Sequence, residues 1–302
     1  MNHCTIAIVV TYNRKEYLKE CIAALKRSET PVDVLIVDNA SSDGTRASIQ
    51  QLIDNETVFY LNTGKNIGGA GGYNLGIKKA YALGYEYFWL MDDDTFVHPD
   101  SLTELFLARK ELNDHFGFLS SLALWVDGSG CKMNSPTLAL DWITDTIRLG
   151  NGIIKLSNAS FVSFFIKRET VEKVGLPIKE YFIWGDDSEY SGRISRAFPC
   201  YFVTRSQVTH KMKSNDEPLG IDKMTDVERI KRMAYSIRNH TCTYKRMGYE
   251  KFLKWTGKVA NVFIKVIFTK SPYKLMKLHI IIKSYFNGLL FFNPSIEFVT
   301  PK

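Results

Sequence analysis

The sequence lacks the marks of several protein classes. Its five cysteines are scattered and odd in number, with no C-x-x-C pair, so neither a disulfide framework nor a zinc site is predicted. It has no run of about 18 uncharged apolar residues, so no membrane-spanning helix is expected. The start runs directly into residues 5–10 without a basic segment, a long apolar segment or a cleavage site, so no signal peptide is expected. These absences predict a cytoplasmic protein.

Several binding and catalytic motifs are also missing. The chain has no P-loop, no G-x-G-x-x-G, no internal repeat, and no Ser/His/Asp or Cys/His arrangement that stands out. Its 302 residues are 45% hydrophobic and 24% charged, which is enough material for a full core. The net charge of +7 and the pI of 9.0 suit an anionic partner such as a nucleotide or an anionic membrane. No recognised nucleic-acid-binding motif is present, so nucleic acid is not an expected partner.

Short apolar runs alternate with helical patterns in the first half. The runs are nearly continuous, which is typical of strands buried on both faces. The alternation predicts an α/β fold with a mostly parallel sheet and a ligand site at the carboxyl ends of the strands. The predicted strands are 5–10, 32–37, 58–61 and 87–91, and the predicted helices are 15–26, 45–52 and 72–82. Further on, the patterns predict strands at 118–126, 160–166 and 201–204 and a helix at 186–197.

Three consecutive carboxylates end the apolar run 87–91. Asp92, Asp93 and Asp94 repel one another unless a cation lies among them. Alternate side chains of a strand point the same way, so Asp92 and Asp94 can share one ligand while Asp93 faces elsewhere. Carboxylate oxygens suit Mg²⁺ or Mn²⁺, which in turn hold phosphate oxygens. The alternative is an acidic turn that caps the helix starting near Pro99.

Two other strand ends carry candidate binding residues. Asp38 directly follows the second run and can accept a hydrogen bond from a ribose or a base. The segment 66–74 has four glycines in five residues and leads into a helix, where glycines let the backbone approach an anion. A tight, close-packed turn explains the same glycines without a ligand.

A second acidic segment follows an aromatic residue. Trp184 and Gly185 precede Asp186 and Asp187, which can cap the helix that follows or act as a general base. His210 becomes a metal-ligand candidate only if the fold brings it to the first acidic cluster.

These pieces together resemble the inverting GT-A glycosyltransferases of family 2, in the branch of the galactofuranosyltransferases and rhamnosyltransferases. The resemblance covers roughly residues 4–245. It rests on five segments in the right order: residues 9–14, 37–45, 66–72, 92–94 and 184–190.

The resemblance implies transfer from a nucleotide sugar, with UDP-galactofuranose favoured and dTDP-rhamnose as the alternative, onto a surface glycan that can be lipid-linked. Asp92 and Asp94 would coordinate Mn²⁺ or Mg²⁺, with His210 completing the metal shell. Asp187 would be the base, with Asp186 competing, because Gly185 lengthens the spacing expected in that branch. The residues implied at the nucleotide sugar are Thr11, Asn13, Arg14, Asp38, Asn66, Gly68, Gly69, Asp93, Trp184 and Arg238.

The last part of the chain has a different character. Residues 225–302 form basic, aromatic-rich helical patterns with no aspartate after Asp226, so we divide the chain into a catalytic domain, 1–224, and a C-terminal helical region. Lysines interleaved with aromatics are typical of helices at an anionic membrane surface, here the inner face of the cytoplasmic membrane. A helical bundle packed on the catalytic domain, or an oligomer interface, is the alternative. Arg238, in this region, can contact phosphate or pair within the core.

Overall fold

The computed structural model describes residues 4–216 and 219–300. Its centre is a ten-stranded sheet in the order β3-β2-β1-β4-β9-β6-β10-β8-β7, with β5 paired to β10. The strands are β1 Thr5–Thr11, β2 Asp33–Asp38, β3 Phe59–Asn62, β4 Tyr87–Asp92, β5 Thr95–Val97, β6 Phe118–Leu124, β7 Thr137–Leu138, β8 Ile153–Asn158, β9 Phe164–Lys167 and β10 Cys200–His210. The pairings give β1–β4, β6, β7 and β10 one common direction. The predicted α/β fold with a mostly parallel sheet is therefore confirmed.

Helices cover both faces of this sheet. They are α1 Lys15–Lys26, α2 Thr45–Ser48, α3 Gln50–Asp54, α4 Gly68–Ala82, α5 Ser101–Glu111, α6 Thr146–Gly150, α7 Arg168–Val174, α8 Asp186–Ser195, α9 Val227–Arg246, α10 Tyr249–Phe268 and α11 Lys274–Phe286. Along β1, Ala7 and Val9 belong to the core under α1 and α5, while Ile6 and Ile8 belong to the core under α4 and α8. Alternate residues of one strand thus fill two cores, which explains the continuous apolar runs of the sequence.

The glycine-rich segment differs from its prediction. The pattern placed a turn before a helix at residue 72, but α4 begins at Gly68 and contains the glycines in its first turns. Gly68 has a φ of +73°, and a Cβ there would collide with the carbonyl oxygen of Phe182. A Cβ at Gly72 would lie 2.7 Å from Val10 on β1. These glycines therefore let α4 pack closely against the sheet and against the segment before α8.

Other elements also depart from their predicted bounds. The strand predicted at 160–166 begins only at Phe164, and the strand predicted at 118–126 ends at Leu124. The helix predicted at 186–197 ends at Ser195. The predicted helix 45–52 is divided at Ile49, which separates α2 from α3. The strand predicted at 201–204 continues to His210, because the polar residues after 204 pair with β5 and β6. This extension carries His210 to the carboxyl end of the sheet.

Helices α9, α10 and α11 pack together around their own core. Ile230, Ile237, Val266 and Ile281 are buried at its centre. The chain then returns to the first part of the molecule, where Leu176 donates a backbone hydrogen bond to the carbonyl of Glu297 (2.8 Å). No helix within residues 4–216 and 219–300 combines the length and hydrophobicity that crossing a bilayer requires.

Candidate functional site

A cleft of about 460 Å³ opens at the carboxyl ends of the central strands. Its floor is the end of β4 and the first turns of α4, and one wall is the start of α8. Most of the residues predicted to hold the metal or act as the base line it: Asp92, Asp186, Asp187 and His210. Two residues predicted at the nucleotide sugar, Gly69 and Trp184, line it as well. The fold therefore gathers two acidic segments that are about 90 residues apart in the sequence.

Asp92, Asp94 and His210 form a compact cluster. One oxygen of each carboxylate and one ring nitrogen of His210 all lie within 4.8 Å of one another. His210 reaches this position because β10 pairs antiparallel with β5, which sets His210 opposite Thr95. Its Nε2 lies 3.1 Å from Asp94 Oδ1. His210 was a metal-ligand candidate only if the fold brought it to the acidic triplet, and the fold does so.

Arg14 balances part of the negative charge. Its Nη1 donates to Asp94 Oδ2 (2.7 Å) and to Asp93 Oδ1 (3.0 Å). Asp93 also accepts a hydrogen bond from Thr11 Oγ1 (2.7 Å), so it faces β1 and not the cleft. Burial nevertheless raises the pKa of Asp93 to about 7, against the lowering effect of Arg14.

Burial and mutual repulsion set the charge states of the other cluster members. Burial and then the neighbouring charge of Asp94 raise the pKa of Asp92. Burial opposes ionisation of Asp94 too, but the hydrogen bond with His210 and the Arg14 charge lower its pKa. Burial alone would lower the pKa of His210, yet the hydrogen bond to Asp94 and the surrounding carboxylates raise it to about 10. Without a metal, protonated His210 and Arg14 supply the positive charge that the carboxylates need.

The donor set fits a divalent cation. Two carboxylates and one imidazole offer the hard oxygen and nitrogen ligands that Mn²⁺ accepts, and carboxylates alone suit Mg²⁺. Two buried or partly buried groups hold these ligands in place: the Tyr73 hydroxyl donates to Asp92 Oδ1 (2.7 Å), and Asn134 Oδ1 lies 2.8 Å from His210 Nδ1. Such outer contacts orient metal ligands and fix the histidine tautomer.

Asp186 and Asp187 begin α8 on the opposite wall. Asp187 accepts a hydrogen bond from the Ser188 N–H (2.6 Å). No described side chain donates a hydrogen bond to Asp186. Burial raises the pKa of both groups, and for Asp186 the charges of Asp187 and Asp92 add to the effect. Both carboxylates are thus poised to take a proton, and the geometry leaves the choice between them open.

The loop before α8 is held in an unusual backbone conformation. Phe182 and Trp184 have φ values of 65° and 62°, and Gly185 has 87°. The amide of Asn239, on α9, donates to the carbonyls of Tyr181, Ile183 and Trp184 at 2.7–3.2 Å. These bonds fix Trp184 at the cleft wall, so α9 supports the start of α8.

The nucleotide end of the predicted site lies at β1, β2 and β3. Asp38 is buried and accepts hydrogen bonds from the Tyr60 hydroxyl (2.5 Å) and the Ser41 N–H (2.9 Å). Asn13 joins the β1 and β2 loops by accepting from the Ser42 N–H (2.7 Å). Asn66 accepts from the Gly68 N–H (2.9 Å) at the start of α4. These predicted residues therefore surround the same sheet edge as the acidic cluster.

Arg238 lies away from both the cleft and the strand ends that carry the other predicted residues. Its guanidinium donates to the carbonyls of Glu180 and Tyr181 and to Asn239 Oδ1, and it lies 3.9 Å above the ring of Phe292. Of the two roles that the sequence left open, this geometry matches core pairing.

Sequence reasoning missed three residues that line or support the cleft. Tyr73 and Asn134 hold Asp92 and His210, and Arg229 lines the wall contributed by α9. Tyr73 lies in the predicted helix 72–82, whose pattern gives no sign of a carboxylate partner. Asn134 follows an irregular loop, where no periodicity points to a partner 76 positions away.

Comparison with known proteins then shows what the chain is similar to. Residues 6–116 match the model of glycosyl transferase family 2. The galactofuranosyltransferase GlfT1 of Mycolicibacterium smegmatis is 28% identical over 215 residues, which cover 65% of this chain and 68% of that protein. The chain is thus similar to glycosyl transferase family 2 over residues 6–116. The carboxylates Asp92–Asp94 and the glycine-rich start of α4 lie within the matched residues, whereas the start of α8 and His210 lie outside them.

Solved structures of low sequence identity share the fold. A structure of GalNAc-T7 with UDP, GalNAc and Mn²⁺ superposes with a TM-score of 0.60 at 16% identity, covering 80% of this chain and 47% of that one. The mannosyltransferase PcManGT from Pyrobaculum calidifontis, in complex with GDP-Man and Mn²⁺, gives 0.54 at 16% identity, with coverages of 96% and 76%. This chain therefore has the GT-A fold, although it spans only about half the length of GalNAc-T7.

Proposed function

We propose that this protein is an inverting, metal-dependent hexosyltransferase that moves galactofuranose from UDP-galactofuranose onto a cell-surface glycan. The observation that carries the proposal is one cleft with two different acidic groups: the ligand cluster Asp92, Asp94 and His210, and the uncompensated pair Asp186 and Asp187. The similarity to GlfT1 supports the choice of sugar.

Different residues of the cleft would carry out the two tasks of the reaction, metal binding and proton transfer. Asp92, Asp94 and His210 would hold Mn²⁺ or Mg²⁺. When bound, that cation stabilises the negative charge that develops on the leaving diphosphate. Asp187 accepts the proton of the acceptor hydroxyl as it attacks the anomeric carbon from the side opposite the diphosphate, with Asp186 as the competing base. A single catalytic carboxylate is enough for inversion by direct displacement.

The donor's nucleotide would lie along the ends of β1 and β2. Asp38 offers its carboxylate to the uridine or its ribose, within the frame built by Thr11, Asn13 and Arg14. Arg229 is the better candidate than Arg238 for the diphosphate, because it lines the cleft and donates no side-chain hydrogen bond to a described residue. Asn66, Gly68 and Gly69, at the start of α4, shape the sugar end of this subsite.

Donor identity is tested with a panel of nucleotide sugars. We expect Mn²⁺-dependent hydrolysis or transfer to be fastest with UDP-galactofuranose, compared with UDP-galactopyranose, UDP-glucose and dTDP-rhamnose. Preference for dTDP-rhamnose would replace the donor and keep the enzyme class. If no nucleotide sugar binds in the presence of Mn²⁺, the protein is a carbohydrate- or membrane-binding scaffold with a degenerate site.

The second part of the proposal concerns location. We propose that the C-terminal region, 225–302, holds the enzyme on the inner face of the cytoplasmic membrane, where a lipid-linked acceptor is presented. Beyond the bundle core, large apolar side chains point to solvent on α10, α11 and the turn after them. Phe268 is 83% exposed, Leu275 82% and Phe291 79%. Lysines flank them in the sequence, which is the composition of helices that lie at an anionic bilayer surface.

Vesicle flotation tests this location with point substitutions. Phe268→Ser with Leu275→Ser should release the full chain from anionic vesicles at low salt. Leu107→Ser with Leu83→Ser, which removes exposed side chains from the catalytic part, should not. Wild-type protein that fails to float at low salt would defeat the membrane proposal, and a sizing column would show whether the apolar face joins two copies instead.

A further inference from the structure

A tryptophan and three buried serines form one hydrogen-bonded chain inside the sheet. Trp89 Nε1 donates to Ser163 Oγ (2.8 Å), and that hydroxyl lies 2.6 Å from Ser121 Oγ. Ser121 Oγ lies 2.6 Å from Ser206 Oγ, and Ser206 donates to the carbonyl of Ser101 (2.8 Å). The three serines of the chain are at most 3% exposed. Because an indole N–H can only donate and a carbonyl can only accept, every hydroxyl between them donates in the same direction.

This serine chain crosses the sheet strand by strand. Its four side chains belong in turn to β4, to the residue before β9, to β6 and to β10, which is the order of these strands in the sheet. The first of them carries Asp92 at its end, and the last carries His210 at its end. Since β9 and β6 separate β4 from β10, the serine chain is a side-chain link between two strands that bear metal-ligand candidates and do not pair with each other.

Strand β10 needs such a link because its pairing with β6 is irregular. The register of the pair shifts between Val203 and Gln207. Ser206 lies in this irregular segment, four residues before His210 and on the same face of the strand. A slip of one residue would turn His210 to the opposite face, away from Asp94. The hydrogen bonds on both sides of the Ser206 hydroxyl therefore fix the register that His210 requires.

The middle of the serine chain has a second connection to His210. Ser163 has a left-handed φ of 55°, which is uncommon for a residue with a side chain. Residues 160–162, directly before it, line the cleft. Ser160 Oγ accepts a hydrogen bond from Asn134 Nδ2 (3.0 Å), and Asn134 Oδ1 lies 2.8 Å from His210 Nδ1. The backbone turn at Ser163 thus sets the segment that holds the partner of His210.

We propose that Ser121, Ser163 and Ser206 are positioning residues for the metal cluster. Their chain fixes β10 relative to β4, and so holds His210 at the distance from the carboxylates that one shared cation requires. The inference rests on the proposed function, in which this cluster binds Mn²⁺ or Mg²⁺. Apolar residues in place of the serines would fill the same space, but they would lack the directional bonds that select one register.

Titration of the full chain with Mn²⁺ in the presence of UDP tests the proposal. Ser121→Ala removes the middle hydroxyl, and Ser206→Ala, which breaks only the link to β10, replaces it if the first variant does not fold. Ser191→Ala is the matched control, because Ser191 is also fully buried and accepts a hydrogen bond from the Ala159 N–H (3.2 Å) outside the serine chain. The electron paramagnetic resonance signal of free Mn²⁺ measures binding, at a temperature at which circular dichroism shows every variant to be folded.

We expect Ser121→Ala to weaken Mn²⁺ binding about fivefold, the factor that corresponds to the loss of one buried hydrogen bond, and Ser191→Ala to leave it unchanged. In a His210→Ala background, Ser121→Ala should change Mn²⁺ affinity by less than about twofold, because the serine chain acts through His210.

Three results would overturn the proposal: unchanged Mn²⁺ affinity in the folded serine-chain variant, an equal loss in the Ser191 control, or the same loss with and without His210. The last two would show that the serine chain stabilises the fold without a particular effect on the cluster. Failure of the wild-type protein to bind Mn²⁺ with UDP would instead contradict the proposed function.

Discussion

Two acidic clusters line the same cleft, and they differ in what balances their charge. Asp92–Asp94 ends a strand and is neutralised from within by Arg14 and His210. Asp186 and Asp187 begin a helix and have no cationic partner within hydrogen-bonding reach among the described residues. The first cluster keeps a deprotonated carboxylate in Asp94, which a metal requires, while burial raises the pKa of the second pair toward proton uptake. Aspartates thus suit metal binding in one cluster and proton uptake in the other, because their surroundings differ.

The largest effect should follow from removal of a metal ligand in the first cluster. We expect Asp94→Ala to abolish Mn²⁺-dependent UDP binding and transfer, because the cluster loses the carboxylate that its two cations keep ionised. Calorimetry measures the binding, and circular dichroism shows whether the fold is kept. Asp100→Ala, an exposed aspartate outside the cluster, is the control. Full activity in EDTA would refute the role given to the metal.

Replacing the base should leave the first cluster intact. Asp187→Asn keeps the shape but cannot take the proton, so kcat should fall by about 10²–10⁴-fold with UDP binding unchanged. Because burial raises the pKa of Asp187, the wild-type kcat/KM should decline with falling pH from a point above the ordinary aspartate value of about 3.9. Asp186→Asn is the matched variant. If it alone loses turnover, the two roles must be exchanged.

A smaller loss should follow when only the support of a ligand is removed. Asn134→Ala takes away the hydrogen bond that orients His210, and we expect Mn²⁺ affinity to fall by about 10–100-fold. A Mn²⁺ titration of UDP binding measures the change. Asn55→Ala, an exposed asparagine after α3, should behave like wild type. Unchanged Mn²⁺ affinity in the Asn134 variant would exclude His210 from the metal shell or show that its orientation is set elsewhere.

The smallest effect is expected at Tyr73, which supports the first cluster at the end of β4. Tyr73→Phe removes the hydroxyl that donates to Asp92, at a cost of about 1 kcal/mol, or roughly fivefold in Mn²⁺ affinity. Tyr249→Phe, 77% exposed, controls for the loss of a hydroxyl. An effect on kcat but none on Mn²⁺ affinity would place Tyr73 in another role.

The sequence predicts the elements whose signal is local. Apolar runs ending in polar residues identify β1, β2 and β4 to within one residue at each end, because burial on both faces demands such runs. Helix Lys15–Lys26 follows from its period and agrees with the structure. The candidate site residues fall at the carboxyl edge for the same reason: a parallel sheet brings the ends of its strands together.

What the sequence could not predict depends on tertiary contacts. The polar stretch after Val203 gave no strand signal, yet Ser206 is buried and bonds to Ser121 and Ser101, which keeps β10 in the sheet as far as His210. Glycine's low helix propensity pointed to a turn at residues 68–72, but close packing on Val10 and Phe182 selects helix there. Arg238 lies in a helical, basic segment, and no sequence pattern predicts that it packs against Phe292.

The C-terminal region, 225–302, is joined to the cleft by a buried lysine, which limits how the two parts can be exchanged between related enzymes. Lys277 of α11 is fully buried, and its ammonium donates to the carbonyl of Met224 (2.7 Å), to that of Asp222 (3.3 Å) and to Ser271 Oγ (2.6 Å). Met224 itself lines the cleft. A tail exchanged between two related enzymes would therefore leave either an ammonium or a set of carbonyls without partners. Viable chimaeras must inherit residues 221–224 together with α11, so the catalytic half and the tail of this chain would be expected to evolve as one unit.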